Sequence, residues 1–275
     1  MIDFETILGN VRTKVPLVHN ITNYVTVTDC ANILLACGGS PIMSDDEGEV
    51  EEITSICGGL NINIGTLNKN TIPSMFLAGK KANELGHATL LDPVGAGASR
   101  LRTETAARLI DEVRFSVIRG NISEIKALAQ GANSTKGVDA DAADQVNEGN
   151  LDSVIAFAKQ FAEKTGAVIA ITGATDLITD GKCVCLINNG DPLMSKVTGT
   201  GCMLSAMTTA FVTANPDNVF EAVCTAVIDM GLSGEIARKR LCAQGGNGIY
   251  RNYLIDAVYQ MTGDMLKDGA KYEMR

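Results

Sequence analysis

The chain has 275 residues, of which 45% are hydrophobic and 20% charged, and its net charge at pH 7 is −9. This composition is typical of a globular protein, and an acidic chain without a basic stripe argues against a nucleic-acid partner. No window reaches the roughly 18 apolar residues of a membrane-spanning helix, and the first ten residues lack the charge order of a signal peptide. We therefore expect a cytoplasmic protein without a nucleic-acid or membrane partner. Because no linker interrupts the chain, we expect one domain over residues 1–275.

Short apolar runs alternate with helical patterns along the first part of the chain. The runs predict strands over Pro16–His19, Ser40–Met43, Leu60–Ile64, Ala88–Asp92, Phe115–Arg119 and Val168–Thr172. The patterns between them predict helices over Tyr24–Cys37, Glu47–Cys57, Lys69–Leu85, Leu101–Val113, Ser123–Gln130 and Leu151–Lys164. Gly38, Gly86 and Gly166 follow three of these helices, as C-terminal caps do. This alternation predicts an α/β fold, with a mostly parallel sheet and helices on both faces.

The pattern changes in the second half of the chain. Asp176–Asp180 and Lys182–Ile187, joined near Asp180-Gly181, predict an antiparallel hairpin. Beyond Thr200 the chain is almost wholly helical, with helices predicted over Cys202–Ala214, Val219–Arg240 and Asn247–Leu266. The polar segment Gly131–Gly149, rich in Ala, Asp and Gly, predicts a surface excursion.

Ligands of open parallel sheets collect at the C-terminal ends of the strands. Asp92 ends one predicted strand, where a carboxylate suits Mg²⁺ but is also a common turn residue before proline. Arg119 ends the next strand and offers a planar fork of donors to a phosphate. Glu124 follows it, where it either completes a metal site or sits in the first turn of a helix. The hydroxyl of Thr172 is a candidate for a contact with an ATP phosphate.

The segment from Val197 to Cys202 places small residues directly before a helical run. Free amide groups and the positive end of the helix dipole make such a turn attractive to phosphate. It fits neither a Walker A sequence nor a dinucleotide-binding fingerprint. The catalytic candidates are therefore Gly199, Gly201 and Cys202. The thiol of Cys202 serves either as a base, acidified by the helix end, or as a small buried hydrophobe.

Eight cysteines in a large cytosolic domain indicate buried thiols more than a disulfide framework. Cys183 and Cys185 have the spacing of a strand face, and the second pair that a structural zinc site needs is missing.

Seven motifs occur in an order that resembles the hydroxyethylthiazole kinases, a family of the ribokinase-like superfamily. They are Val18–Val25, Ser40–Met43, Asn61–Thr66, Leu91–Ala98, Arg119–Ile125, Lys136–Asp139 and Val197–Cys202. The resemblance implies a ribokinase-like α/β/α sandwich that phosphorylates the alcohol of 4-methyl-5-(2-hydroxyethyl)thiazole with ATP and Mg²⁺. It places this step in thiamine synthesis or salvage, and it implies a homotrimer with thiazole pockets between subunits.

The resemblance also implies roles for individual residues. Met43 and Gly199 would contact the thiazole, and Asn20 and Asn23 would form part of the pocket wall. Arg119 and Thr172 would contact ATP, and Asp92 and Glu124 would support Mg²⁺. The wider superfamily usually has Asp where this chain has Cys202, which leaves the identity of the base open.

Four alternatives remain open at this stage. The first is a kinase for another heterocyclic or sugar alcohol. A hydrate-repair dehydratase would share the glycine turn but would have Asp in place of Cys202. A binding module for a nucleotide or thiazole, without turnover, would not need the acidic pair. A redox protein lacks its usual Cys-x-x-Cys motif.

Cys202→Asp tests the role of the thiol. Phosphoryl transfer through a loose transition state needs positioning and charge neutralisation more than activation of the nucleophile. We therefore expect the variant to keep or increase kcat in a coupled ADP-release assay. A folded variant without activity would contradict this expectation.

Overall fold

In the computed structural model, which describes residues 2–130 and 149–275, nine strands form a single sheet. The strands are β1 (Leu17–Ile21), β2 (Ser40–Met43), β3 (Gly59–Asn63), β4 (Ala88–Asp92), β5 (Val117–Gly120), β6 (Val168–Ile171), β7 (Asp176–Thr179), β8 (Val184–Ile187) and β9 (Tyr272–Met274). Their order across the sheet is β2-β1-β3-β4-β5-β6-β7-β8-β9. The first six are parallel, whereas β7, β8 and β9 pair antiparallel.

Eleven α-helices accompany these strands within the described ranges. They are α1 (Phe4–Lys14), α2 (Val27–Cys37), α3 (Val50–Ile56), α4 (Thr71–Leu85), α5 (Arg100–Glu112), α6 (Ile122–Gln130), α7 (Leu151–Thr165), α8 (Thr200–Ala214), α9 (Val219–Arg240), α10 (Asn247–Gln260) and α11 (Gly263–Gly269). Two short 3-10 helices, over Pro192–Lys196 and Pro216–Asn218, also occur in the part of the chain that the structure describes. No described helix has the length and apolar character needed to cross a membrane.

Two apolar cores lie on opposite faces of the sheet, which confirms the predicted three-layer α/β/α arrangement. One core lies under α1, α2, α8 and α9, and the other lies under α4 to α7. Helix α8 packs on β1, β3 and β4 and is buried almost throughout, from Met203 to Val212. A helix that is apolar on all sides belongs in an interior layer. The position of α8 therefore brings its N-terminus to the carboxyl ends of the central strands.

The strand order changes direction between β1 and β3. From β1 the chain moves outward to β2, and it then returns past β1 to β3 and continues toward the other edge. Crevices form at such switch points, because the crossovers on the two sides leave toward opposite faces. Asn20 is the next-to-last residue of β1, and Asn63 is the last residue of β3.

Apart from the last predicted helix, the predicted elements are confirmed with small shifts at their ends, and β2, β4 and α9 match their predicted ranges. Gly38, Gly86 and Gly166 end helices with φ of +103°, +70° and +70°, as predicted. Helix α1 and strand β9 were not predicted. The surface excursion predicted over Gly131–Gly149 lies outside the described residues, except for its last residue.

The prediction of one helix over Asn247–Leu266 is wrong. Helix α10 ends at Gln260, and α11 starts anew at Gly263. The side chain of Thr262 accepts a hydrogen bond from the amide of Met265, at 3.2 Å, and so caps the new helix. The buried side chain of Met261 anchors the break.

Asp229 is a fully buried carboxylate in the apolar layer, on α9. Its Oδ1 accepts from Ser233, whereas Oδ2 has no partner within the described residues. Burial raises the pKa of Asp229 to about 7, although the Ser233 hydroxyl and the Arg12 guanidinium partly offset this effect. Between about pH 4 and pH 7, the carboxyl group of Asp229 is therefore protonated in the native state and ionised in the unfolded state.

Asp229→Asn tests this account through the pH dependence of stability. Because the native pKa is raised, the contribution of Asp229 to the stability of the wild-type protein should fall as pH rises from about 4 to about 7, at up to about 1.4 kcal/mol per pH unit. The variant should lack this slope, so its stability relative to wild type should increase over that interval and level off above it. Urea unfolding at several pH values measures the difference, and parallel pH profiles would contradict the account.

Candidate active site

The carboxylate of Asp92, at the end of β4, is completely buried at the carboxyl edge of the sheet. Its Oδ2 accepts from Asn63 Nδ2 at 2.9 Å and from Ser205 Oγ at 2.7 Å. The same oxygen lies 3.5 Å from Arg119 Nη1. Burial raises the pKa of Asp92, and these three partners oppose that rise. Oδ1 has no partner within the described residues, so one oxygen remains available to a ligand.

Two asparagines connect this carboxylate to the thiol of Cys202. Asn63 Nδ2 lies 3.3 Å from Cys202 Sγ, and Asn23 Nδ2 lies 3.2 Å from the same sulfur. Asn63 Oδ1 in turn accepts from Asn23 Nδ2, at 3.0 Å. The thiol is thus held by amide donors from β3 and from the loop after β1.

The environment of Cys202 keeps its thiol protonated. Burial raises the pKa of Cys202, and the nearby negative charge of Asp92 raises it further. The amide donors from Asn23 and Asn63 oppose this rise. Of the two roles that the sequence left open, the structure therefore favours the uncharged thiol over a base acidified by the helix end.

The side chain of Arg119 extends from β5 and lies against the first turn of α8. Its Nη2 donates to Thr172 Oγ1 at 2.6 Å, which joins the two predicted ATP contacts directly. A Cβ atom added to Gly201 would lie 2.7 Å from Arg119 Nη1, so glycine is what permits this approach. Nε of the guanidinium is buried and has no partner within the described ranges. The arginine therefore retains donor capacity beside the free amides of a helix N-terminus.

Glu124 caps α6 and also reaches the loop after β4. Its Oε2 accepts from the amide of Asn121 at 2.9 Å, and Asn121 Oδ1 accepts from the amide of Glu124 at 2.8 Å. This reciprocal pair is a capping box. Oε1 accepts from the amide of Gly95, at 2.8 Å. Burial, followed by the charge of Asp92, raises the pKa of Glu124. The capping interpretation is confirmed, and both oxygens already hold one hydrogen bond.

Gly199 is the N-cap of α8 and has a φ of +88°. A Cβ atom at this position would lie 2.5 Å from Thr26 Cγ2. Thr26 Oγ1 donates to Asn23 Oδ1 at 3.0 Å, so the glycine packs against the residue that orients Asn23. The conformation and the close packing both require glycine here.

Two pockets are lined by residues that contact this cluster. The larger, of about 620 Å³, extends from Arg119, Thr172 and Gly201 to the loop that follows β8. The smaller, of about 180 Å³, lies at the switch point and includes Met43, Asn20 and Asn63 in its wall. Asn63 lines the smaller pocket and Arg119 lines the larger one, and both contact Asp92.

The structure brings most of the predicted site residues to one edge of the sheet. Five of the predicted site residues line neither pocket directly: Asn23, Asp92, Glu124, Gly199 and Cys202. Asn23 supports Cys202, and Gly199 begins α8. The motif Lys136–Asp139 lies outside the described residues. Cys183 is exposed whereas Cys185 is buried, and no group of three or more metal-ligating side chains occurs in the described part of the chain.

Sequence reasoning did not assign a role to Asn63 or Ser205. Asn63 lies in the motif Asn61–Thr66, near the end of a predicted strand, which was a usable signal. Ser205 lies one turn beyond Cys202, within an apolar run, and only the packing of α8 on β4 shows that it reaches Asp92.

Comparison with known proteins identifies a consistent set of relatives. The model of the hydroxyethylthiazole kinase family matches residues 8–264. The hydroxyethylthiazole kinase of Clostridium acetobutylicum is 64% identical over 266 residues, which are 97% of this chain and 97% of that protein. The solved structure of the hydroxyethylthiazole kinase from Pyrococcus horikoshii OT3 has a TM-score of 0.87 at 34% identity, covering 99% of this chain and 98% of that one.

A more distant structure shares the fold alone. The pyridoxal kinase from Staphylococcus aureus has a TM-score of 0.62 at 16% identity, covering 94% of this chain and 97% of that one. The fold is therefore ribokinase-like, as the sequence motifs implied.

Gly199→Val, compared with Gly86→Val, tests the start of α8. Both glycines have positive φ, so each valine should cost about 1–2 kcal/mol of stability. Only position 199 meets a neighbour, because a Cβ at Gly86 would contact nothing within 4 Å. We expect Gly199→Val to lose nearly all turnover and Gly86→Val to retain it, with both folded by circular dichroism. Equal activity in the two variants would contradict the assignment.

Proposed function

The chain belongs to the hydroxyethylthiazole kinase family and acts as an ATP-dependent kinase of the thiazole alcohol in thiamine salvage, and from this premise we propose how its two pockets divide the reaction. The larger pocket takes ATP, and the smaller pocket takes the alcohol. The observation that carries this proposal is that each pocket is lined by a residue that contacts Asp92, namely Arg119 in the larger pocket and Asn63 in the smaller one.

ATP fits the larger pocket by volume and by the phosphate-binding groups at one end of it. Thr200 and Gly201 line it at the N-terminus of α8, where amide groups without a helical partner attract phosphate. Arg119 and Thr172 line the same end and are hydrogen-bonded to each other. We propose that Arg119, Thr172 and the amides of α8 bind the phosphates, and that the nucleoside lies toward the loop after β8.

The thiazole alcohol fits the smaller pocket. Met43 offers an apolar, polarizable side chain to the heterocycle. Asn20, which is almost fully buried, is fixed by Val18 O and by Asn61 and forms part of the wall. Asn63 connects this wall to Cys202, and so the hydroxyl of the substrate would point toward the start of α8.

Transfer of the phosphoryl group then depends on charge neutralisation and positioning. The amides of α8 and the Arg119 guanidinium stabilise charge on the transferred group. Cys202, with a pKa above its ordinary value, remains protonated and helps to position the hydroxyl. Its thiol is therefore a support for the reaction and not the essential base.

The residues around Asp92 fit a Mg²⁺ ion. Mg²⁺ prefers one or two carboxylates and retains several waters. Asp92 Oδ1 is a buried carboxylate oxygen without a partner in the described residues, which is what such an ion requires. Both oxygens of Glu124 already accept backbone amides, so Glu124 would act through a water molecule. When bound, the ion would neutralise phosphate charge.

We also propose that the chain forms a homotrimer that completes the smaller pocket. Tyr24, which lines this pocket, is 77% exposed, and its neighbour Val25 is 56% exposed. A partner subunit would cover these side chains. Light scattering of the purified protein tests the proposal, and a fully active monomer would contradict it.

The proposal also includes the domain organisation and the cellular location of the protein. A single kinase domain over residues 1–275 is consistent with one continuous sheet in the described ranges. A cytoplasmic location is consistent with eight cysteines that are all free thiols, because disulfides are rare in that compartment.

ATP consumption measured with and without the thiazole alcohol tests the proposed function. We expect ADP and the phosphate ester to form in equal amounts, and only when the alcohol and Mg²⁺ are both present. Pyridoxal and a sugar alcohol serve as comparison substrates and should react far more slowly. ADP release without any alcohol would indicate a hydrolase, and binding without ADP release would indicate a binding module.

A further inference from the structure

Asp176 is a carboxylate in the larger pocket to which the proposed reaction assigns no role. It begins β7, and its Oδ1 accepts from the amide of Gly173 at 2.8 Å. Gly173 directly follows Thr172, whose hydroxyl is bonded to Arg119. All four residues line the pocket. The carboxyl group therefore fixes the turn that presents Thr172 to the pocket.

The charge of Asp176 is poorly compensated. Arg119, on β5, is the cation that faces it, but this guanidinium also serves Thr172 and Asp92. Asp191, which follows β8 and lines the same pocket, adds a second carboxylate. The lining residues from α8 and α9 carry no charge; they are Thr200, Gly201, Leu204, Val227, Met230 and Gly231. Oδ2 of Asp176 makes no hydrogen bond to the described residues.

We propose that Asp176 is a positioning residue that holds the Thr172-Gly173 turn for the nucleotide phosphates, and that it is protonated when the nucleotide is bound. The proposal rests on ATP occupying the larger pocket. The hydrogen bond from the Gly173 amide to Asp176 Oδ1 is retained when Oδ2 is protonated. The turn therefore keeps its shape, while the negative charge that would repel a polyphosphate is removed.

The chemistry of the carboxyl group supports this proposal. Burial raises the pKa of Asp176 to about 7, against the opposing effects of the Gly173 amide and Arg119. A bound polyanion disfavours the charged form further. Nucleotide binding above neutral pH is then coupled to uptake of a proton, and affinity falls as pH rises through and above 7.

Three variants separate the effect of the negative charge of Asp176 from its effect on the shape of the Thr172-Gly173 turn. Asp176→Asn keeps an acceptor for the Gly173 amide and removes the charge. Asp176→Ala removes both. Asp180→Asn is the matched control, because Asp180 also accepts backbone amides, from Lys182 and Cys183, in the next turn but lies outside the pocket.

The measurement is the Kd of the full-length protein for AMP-PCP at constant Mg²⁺, by calorimetry between pH 6 and pH 9. When they bind the nucleotide near pH 8, wild type and Asp180→Asn should take up a proton. At pH 9 both should bind about tenfold more weakly than Asp176→Asn does, because a pKa of Asp176 that is about one unit higher with nucleotide bound than without it corresponds to a tenfold change in Kd. Asp176→Ala should bind more weakly than Asp176→Asn at every pH. Titration of the analogue's own phosphonate is common to all variants and cancels in the comparison.

The outcomes distinguish the two proposals. Identical pH dependence in wild type and Asp176→Asn would overturn the inference and leave ATP binding intact. Weaker binding of Asp176→Asn at every pH would also overturn it, because the negative charge would then be required. Failure of all four proteins to bind the nucleotide would overturn the proposed function, and the inference with it.

Discussion

Most of the site depends on the way the buried carboxylate of Asp92 is held. One oxygen receives donors from β3 and α8 through Asn63 and Ser205, and it faces the Arg119 guanidinium from β5. An isolated buried charge would be costly, so the carboxylate needs partners from several elements at once. Those partners fix the N-terminus of α8 over the carboxyl edge of the sheet. The second oxygen is buried and has no partner among the residues that the structure describes.

The same arrangement explains why the chemistry can proceed without an acidified thiol. Cys202 lies beside a negative carboxylate and is partly buried, and both effects favour its protonated form. Its two asparagine neighbours hold the sulfur in place and connect it to the wall of the smaller pocket. The reaction therefore relies on cationic and amide groups at the phosphate, and the thiol supports the geometry. Gly199 and Gly201 are required because the backbone conformation and the approach of Arg119 leave no room for a side chain.

Local signals in the sequence predicted much of the fold. Strand β4 was predicted at its observed bounds, because an apolar run ends abruptly at Asp92-Pro93, and three helix ends were marked by glycine. Helix α1 escaped prediction because Gly9 interrupts a short pattern of weak helix propensity, although the Asp3 side chain caps it. The break at Thr262 is a capping event inside an otherwise continuous helical pattern. The strand-end rule predicted the edge that carries the site, whereas the contacts of Ser205 and Asn63 depend on how α8 lies over the sheet, which local sequence does not determine.

A crystal structure of the protein with AMP-PCP and the thiazole alcohol tests the central claim most directly. The account predicts the terminal phosphate group against the amides of Thr200 and Gly201 and beside Arg119. It also predicts the substrate hydroxyl within hydrogen-bond distance of Cys202, and electron density for a cation next to Asp92 Oδ1. A triphosphate bound away from the start of α8, or an Asp92 oxygen that stays without a ligand in the complex, would contradict it.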